Sequence, residues 1–249
     1  MYPSLNQFLD PRKMLEKGKD YRHLIILQTS IIFTALMVKD IVVLCGATPD
    51  LSHKIRDIIF IVLVGAYVLV LWDLLGNFTK NKMLVYTLLA IVIVTLVVML
   101  FVAYPFHPLF DTEEKARPYL FLIHFNLFVM EGIVIYFTIM DIFSGKKVSV
   151  DKLWGSACIF LMIGLSFGSM YDLINILDPG CMGTPIQLGI ESYTACIGYS
   201  MATIGGHDAY TSSIALVQNL GVIESVWANL FIVILVGRLL GRPDDSSDQ

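Results

Sequence analysis

Charged residues are scarce in this sequence, and long stretches contain none. Only 15% of the 249 residues are Asp, Glu, Lys or Arg, whereas 56% are hydrophobic, and the mean hydropathy is +0.73. The apolar residues are gathered into runs long enough to cross a bilayer. The composition therefore indicates an integral membrane protein with lipid as its surroundings, and we expect no nucleic-acid partner.

Common catalytic and metal-binding motifs are also missing. The four cysteines form no CxxC pair and have no metal-ligand spacing with the five histidines, so most are read as small apolar residues. Cys45 and Cys181 fall near the same predicted membrane face, which leaves a disulfide between them possible. The later spans contain no lysine, which argues against a retinal protein. The sequence also lacks a Gly-x-Ser-x-Gly elbow, which argues against a serine protease. We therefore predict neither an enzyme nor a cofactor.

Six hydrophobic runs predict an all-α membrane protein. The clearest is the uncharged stretch Met83 to Tyr104, since about 20 residues are needed to cross the hydrocarbon core. The six predicted spans are Leu24 to Cys45, Ile58 to Thr79, Met83 to Tyr104, Pro118 to Met140, Leu153 to Leu177 and Ile214 to Gly237.

The distribution of basic residues predicts the orientation of these spans. If the N-terminus is cytoplasmic, 12 of the 17 Lys and Arg residues lie on the cytoplasmic side, and only four lie outside. The positive-inside rule therefore favours a multi-pass protein of the cell membrane with both termini in the cytoplasm.

The connection after the fifth span differs from the others because residues 178–213 contain no Lys or Arg. Its semi-apolar middle, Ile186 to Ala202, is too short and too polar to span the membrane. We therefore predict a segment that enters the membrane and returns, with a short helix at about Ile190 to Ser200. Irregular backbone at that depth is tolerated only where it lines water or is buried in protein.

The end of this connection and the last span carry a family resemblance. The stretch Thr203-Ile-Gly-Gly-His-Asp208, followed by a last span that contains Ile223-Glu-Ser-Val-Trp227, resembles the pore module of the potassium-channel superfamily, whose consensus is Thr-Val-Gly-Tyr-Gly-Asp after a pore helix. The resemblance covers roughly residues 151–242. It implies a homotetramer whose filter, including the backbone of Thr203, Ile204 and Gly205, coordinates K⁺. It also implies that Glu191 and Asp208 add negative charge at the outer mouth.

Two positions depart from the family pattern. Gly206 replaces the aromatic residue, and His207 replaces the second glycine. The outer half of the filter is thereby altered, so a non-selective sodium and potassium channel is the alternative to a potassium channel. Gly205 to Asp208 is also compatible with a simple tight turn between two helices.

The first four spans lack the charges of a voltage sensor. The fourth span, Pro118 to Met140, contains no Arg or Lys, which argues against conventional voltage gating. It holds His124 and Glu131, which are two helical turns apart and share one face. This pair is either a proton or ligand sensor or a buried polar contact that fixes helix packing. A small proton-coupled transporter that uses the pair as a relay is the alternative from another functional class.

The last two spans contain candidate packing and hinge positions. Gly164 and Gly168 form a GxxxG motif that is consistent with packing of span five on span six. Asp172 either anchors the pore helix or simply lies at the interface. The resemblance places the hinge of the gate at Ala228, with Gly221 one alternative. The predicted division of the chain is an interfacial segment 1–23, a four-helix domain 24–143, a linker 144–152, a pore domain 153–241 and a tail 242–249.

Overall fold

The computed structural model describes residues 11–79, 82–102, 113–143, 150–207 and 214–240. All regular structure in these residues is helical, which confirms the predicted all-α class. The helices are α1 (Pro11–Phe33), α2 (Lys39–Leu44), α3 (Pro49–Phe78), α4 (Lys82–Val102), α5 (Glu113–Phe143), α6 (Val150–Leu177), α7 (Ile190–Ile204) and α8 (Ala215–Leu240).

Five stretches of the described helices are long and apolar enough to cross a membrane, in agreement with a multi-pass membrane protein. They are Asp20–Leu44, Pro49–Phe78, Glu114–Phe143, Lys152–Leu177 and Ala215–Gly237. The remaining run, expected to be the clearest span, forms α4, but its described apolar part is only Val85–Phe101. Tyr104, where that span was predicted to end, lies outside the described residues.

The first helix begins earlier than predicted and is not separated from the N-terminal segment. It starts at Pro11 and continues through a π-helical segment, Thr34–Val38, into α2. Tyr21 and Leu24 are both buried, and the Tyr21 hydroxyl donates to Asp141 Oδ2 at 3.3 Å. Tyr21, which precedes the predicted boundary at residue 23, therefore already packs into the core.

Helix α3 begins with a capped N-terminus. The Thr48 side chain accepts a hydrogen bond from the Leu51 N–H at 3.4 Å, and Pro49 occupies the first turn, where its missing N–H costs nothing. Gly46, with φ of +92°, makes the preceding turn. The helix thus starts nine residues before the predicted span at Ile58 and brings His53 and Arg56 into regular structure.

The main core lies between α1, α3, α4, α5, α6 and α7, where apolar side chains from these helices interlock. Helix α8 is different, since only one stripe of it is buried and its other faces are open to lipid or another chain. The buried stripe consists of Val217, Gly221, Glu224, Ala228 and Phe231.

The suggested disulfide is not formed. Cys45 is exposed, Cys181 is buried, and both are free thiols. The sequence placed them near one membrane face, but the α2–α3 turn leaves Cys45 at the surface while Cys181 packs against Tyr171 and Cys196. Residues 144–149 of the predicted linker and the whole predicted tail, 242–249, lie outside the described part of the chain.

Candidate functional site

Helix α7 lies where a short membrane helix was predicted, between α6 and α8. Its 15 residues give a length of about 22 Å, less than a bilayer core. Ser192 near its start contacts Asp172 and Asn175 close to the end of α6. Near its own end, α7 packs on Gly164, halfway along α6. The helix therefore runs antiparallel to the second half of α6 and stops level with its middle.

The GxxxG motif of α6 permits this close approach. A Cβ at Gly168 would lie 3.1 Å from the Ile197 Cα, and one at Gly164 would lie 2.2 Å from the Met201 methyl carbon. Both neighbours belong to α7. The expected contact with the last span is thus wrong for these two glycines, because α7 occupies the groove that they create.

Buried hydrogen bonds anchor the start of α7 to α6. The Ser192 hydroxyl donates to Asp172 Oδ1 and accepts from Asn175 Nδ2 at 2.8 Å. Asn175 Oδ1 also accepts from the Gly180 N–H at 3.4 Å, which ties down the loop before α7. Of the two roles considered for Asp172, the structure favours the anchor.

The middle of α7 is joined to α8 through a second polar group. Glu224 accepts hydrogen bonds from the Tyr171 hydroxyl, at 2.7 Å, and from Ser200. Ser200 also lies 2.7 Å from the carbonyl oxygen of Gly164. One carboxyl group therefore links α6, α7 and α8. No local spacing in the sequence indicates this partnership.

His124 and Glu131 have separate partners. The Nε2 atom of His124 lies 3.2 Å from Asp172 Oδ2, and its ring packs edge-on against Tyr193 at a centroid separation of 4.5 Å. Glu131 Oε1 accepts from the Tyr67 hydroxyl at 3.0 Å. Both side chains are buried. This arrangement agrees with the packing interpretation and gives no direct His124–Glu131 relay.

Gly221 and Ala228, the candidate hinge positions, both lie within α8 on its buried stripe. A Cβ at Gly221 would lie 3.2 Å from the Tyr199 hydroxyl of α7. Ala228 is 1% exposed. The described structure therefore gives these positions a packing role, and the hinge stays a prediction.

Glu191, which was predicted to lie at the outer mouth, is paired with basic residues. Its carboxylate lies 2.5 Å from Arg56 Nη1, 3.3 Å from His53 Nδ1 and 3.4 Å from Lys39 Nζ. Burial raises the pKa of Glu191, but the hydrogen bond and charge of Arg56, with the charges of Lys39 and His53, outweigh burial, and the net pKa lies below its usual 4.5. The sequence interpretation missed these partners because it treated Arg56 only as a loop charge.

The predicted filter residues form the end of α7. Thr203 and Ile204 lie in its last turn, so this helix extends past the predicted end at Ser200. The N–H of Gly206 donates to Thr203 O at 3.2 Å, and the N–H of His207 donates to Ala202 O at 2.9 Å. These two bonds form a Schellman motif with Gly206 at φ of +73°.

This capped helical turn differs from the extended backbone of an ion filter, and hydrogen bonds within the turn account for the difference. The carbonyl oxygens of the last turn need donors, and the N–H groups of Gly206 and His207 in the cap supply them to Thr203 and Ala202. The tight-turn alternative therefore describes Gly205 to His207 in the single chain. Asp208 lies outside the described residues.

In comparisons with known proteins, no family model matched the chain, and no curated protein or solved structure matched it either. Function is therefore inferred from the residues and their geometry.

Proposed function

We propose that the chain is one subunit of a homotetrameric channel that conducts monovalent cations, with potassium as the favoured ion. The observation that carries this proposal is the placement of α7. A helix too short to span, anchored on α6 and α8 by buried hydrogen bonds, ends near mid-α6 in a Thr-Ile-Gly-Gly sequence. A helix C-terminus carries partial negative charge, which favours a cation at that depth.

Conduction through backbone carbonyls requires Thr203 and Ile204 to leave the last helical turn when four chains assemble. In the tetramer, an ion would replace the Gly206 N–H, which now donates to the Thr203 carbonyl oxygen. The glycine pair makes such a change feasible, because Gly205 and Gly206 have no side chain to restrict their torsions.

The outward surface of α8 supports assembly with further copies. Asn229 is exposed on this spanning helix, and its amide donates to the Ser225 carbonyl oxygen at 2.8 Å. An amide group facing hydrocarbon is costly, whereas hydrogen bonds between helices or contact with pore water satisfy it. A neighbouring copy of α8 provides either environment.

A non-selective sodium and potassium conductance is the second candidate. It is favoured by Gly206 and His207, which stand where the family pattern has an aromatic residue and a glycine. The absence of Arg and Lys from Pro118 to Met140 leads us to propose, in addition, that the channel is not opened by a conventional voltage sensor.

Ion flux out of liposomes tests the proposal. Purified protein is reconstituted under an outward K⁺ gradient, and the experiment is repeated with Na⁺, using protein-free liposomes as the control. We expect K⁺ flux that exceeds Na⁺ flux; equal fluxes indicate the non-selective alternative. No flux together with a detergent-solubilised monomer would falsify the channel proposal.

A further inference from the structure

The start of α7 is held by residues from the beginning of α3 and from α2. Glu191 lies in the first turn of α7, and Arg56 Nη1 donates to its carboxylate at 2.5 Å. Lys39 and His53 approach the same carboxylate at 3.4 and 3.3 Å. Three basic side chains from the first two spans thus converge on one acidic side chain of α7.

Arg56 is fixed in place by a second carboxylate. It is only 3% exposed, and its Nε and Nη2 atoms donate to Asp57 Oδ1 at 2.9 and 2.8 Å. The guanidinium therefore joins the neighbouring Asp57 to Glu191 on α7. A planar donor group held from two sides defines the position of both partners more closely than a lysine does.

The π-helical segment makes a second contact with α7. A Cβ at Gly198 would lie 3.1 Å from Leu36 Cδ2, so Leu36 packs directly against the α7 backbone. The π-helical turn carries one extra residue compared with an α-helical turn and changes the direction of the side chains that follow it. The first two spans therefore contact α7 at its start and in its middle.

We propose that Arg56 and Glu191, supported by Lys39 and His53, form a clamp through which the first two spans position α7 and thereby set cation discrimination at the C-terminal end of α7. This inference rests on the proposed channel function. Arg56 touches no ion and is a positioning residue. Because α7 is helical from Ile190 through Ala202, a shift at Glu191 is carried to the residue that directly precedes Thr203.

The clamp is expected to persist in mild acid. A carboxyl group whose folded-state pKa is lowered contributes stability that is fully present above its unfolded pKa of about 4.5, and this contribution is lost as pH falls through the lowered value. The clamp therefore remains intact in mild acid, at pH values above the usual pKa of Glu191.

Substitution of the clamp residues tests the proposal through ion selectivity. The potassium-to-sodium permeability ratio is measured for Arg56→Gln, Glu191→Gln and the reversal Arg56→Glu with Glu191→Arg. We expect both single variants to change the ratio severalfold in the same direction and the reversal to restore part of it. Lys54→Gln is the matched control, because Lys54 pairs with Asp50 at 2.8 Å on the exposed side of α3.

Several outcomes overturn the proposal. One is an unchanged ratio in correctly assembled Arg56→Gln tetramers, and another is an equal change in Lys54→Gln. If the glutamine variants do not assemble, Arg56→Lys is measured instead, and we expect an intermediate change in the ratio because lysine keeps the charge but loses the planar fork. A wild-type ratio in Arg56→Lys would then contradict the clamp.

A crosslinking experiment separates failure of the clamp from failure of the channel proposal. Cysteines are placed at His53 and Glu191 in a Cys45→Ser background and treated with a short bifunctional thiol reagent, and the linked peptides are identified by mass spectrometry. We expect a link between positions 53 and 191. A second double variant, with cysteines at Lys54 and Glu191, is the control, and we expect no link in it. Absence of the link between positions 53 and 191 contradicts the clamp whether or not the protein conducts. If the link forms but the wild-type protein shows no cation flux in liposomes, only the channel proposal is contradicted.

Discussion

Replacing Gly205 with Ala is expected to reduce cation flux to the level of protein-free liposomes while the chain still folds. In the single chain, Gly205 has a right-handed φ of −72°, and an added Cβ would lie 3.3 Å from its nearest neighbour, Met201 O. Ala therefore fits the folded chain after a small adjustment. If the carbonyl group next to residue 205 coordinates an ion, the backbone there must adopt torsions that Ala disfavours. The substitution is therefore expected to reduce cation flux without preventing folding.

Gly206 gives the contrasting result. Its φ of +73° is required by the turn that ends α7, so Gly206→Ala is expected to lower stability even in the single chain. Gly132→Ala is the control, because Gly132 is exposed on α5 with no atom near its added Cβ. Flux and thermal unfolding are measured for all three. Normal flux in Gly205→Ala would support a simple turn and count against the filter.

Gly168→Leu is expected to prevent correct packing of α7 on α6 and to abolish assembly of the proposed tetramer. The added side chain would meet the Ile197 backbone, which cannot rotate away as a side chain can. Overpacking of this kind typically costs about 1–3 kcal/mol, and more where backbone must move. The readout is the fraction of tetramer in size-exclusion chromatography, together with the midpoint of thermal unfolding.

Two further variants serve as comparisons for Gly168→Leu. Gly164→Ala meets the flexible Met201 side chain and is expected to be milder. Gly132→Leu adds the same bulk on an exposed helix surface and is expected to assemble normally. If Gly168→Leu forms wild-type tetramers, close packing of α6 and α7 is not needed for the pore.

Periodic and compositional features were predictable from the sequence because they depend on neighbouring residues. Long apolar runs specify helices of membrane-spanning length, and the short semi-apolar segment specified a short helix between the last two spans. Helix ends were less predictable. The first helix begins at Pro11 rather than Leu24 and α7 ends at Ile204 rather than Ser200, because tertiary packing and capping extend helices past the apolar run.

Side-chain partnerships were not predictable in the same way. Seven-residue spacing correctly placed His124 and Glu131 on one helix, yet each bonds to a residue of another helix, Asp172 and Tyr67. Likewise, Glu191 was expected beside open water but meets Arg56, which lies 135 positions away in sequence. No local pattern specifies such contacts.

The sequence by itself determined the all-helical class, the membrane-spanning lengths and the presence of a short helix before Thr203-Ile-Gly-Gly, since these depend on hydrophobicity and local backbone preference. Only the tertiary structure decided that α7 lies in the glycine groove of α6, that Glu224 joins three helices and that Arg56 holds Glu191. The reason is physical: a buried polar group must find a partner wherever packing brings one within reach, and packing is a property of the whole chain.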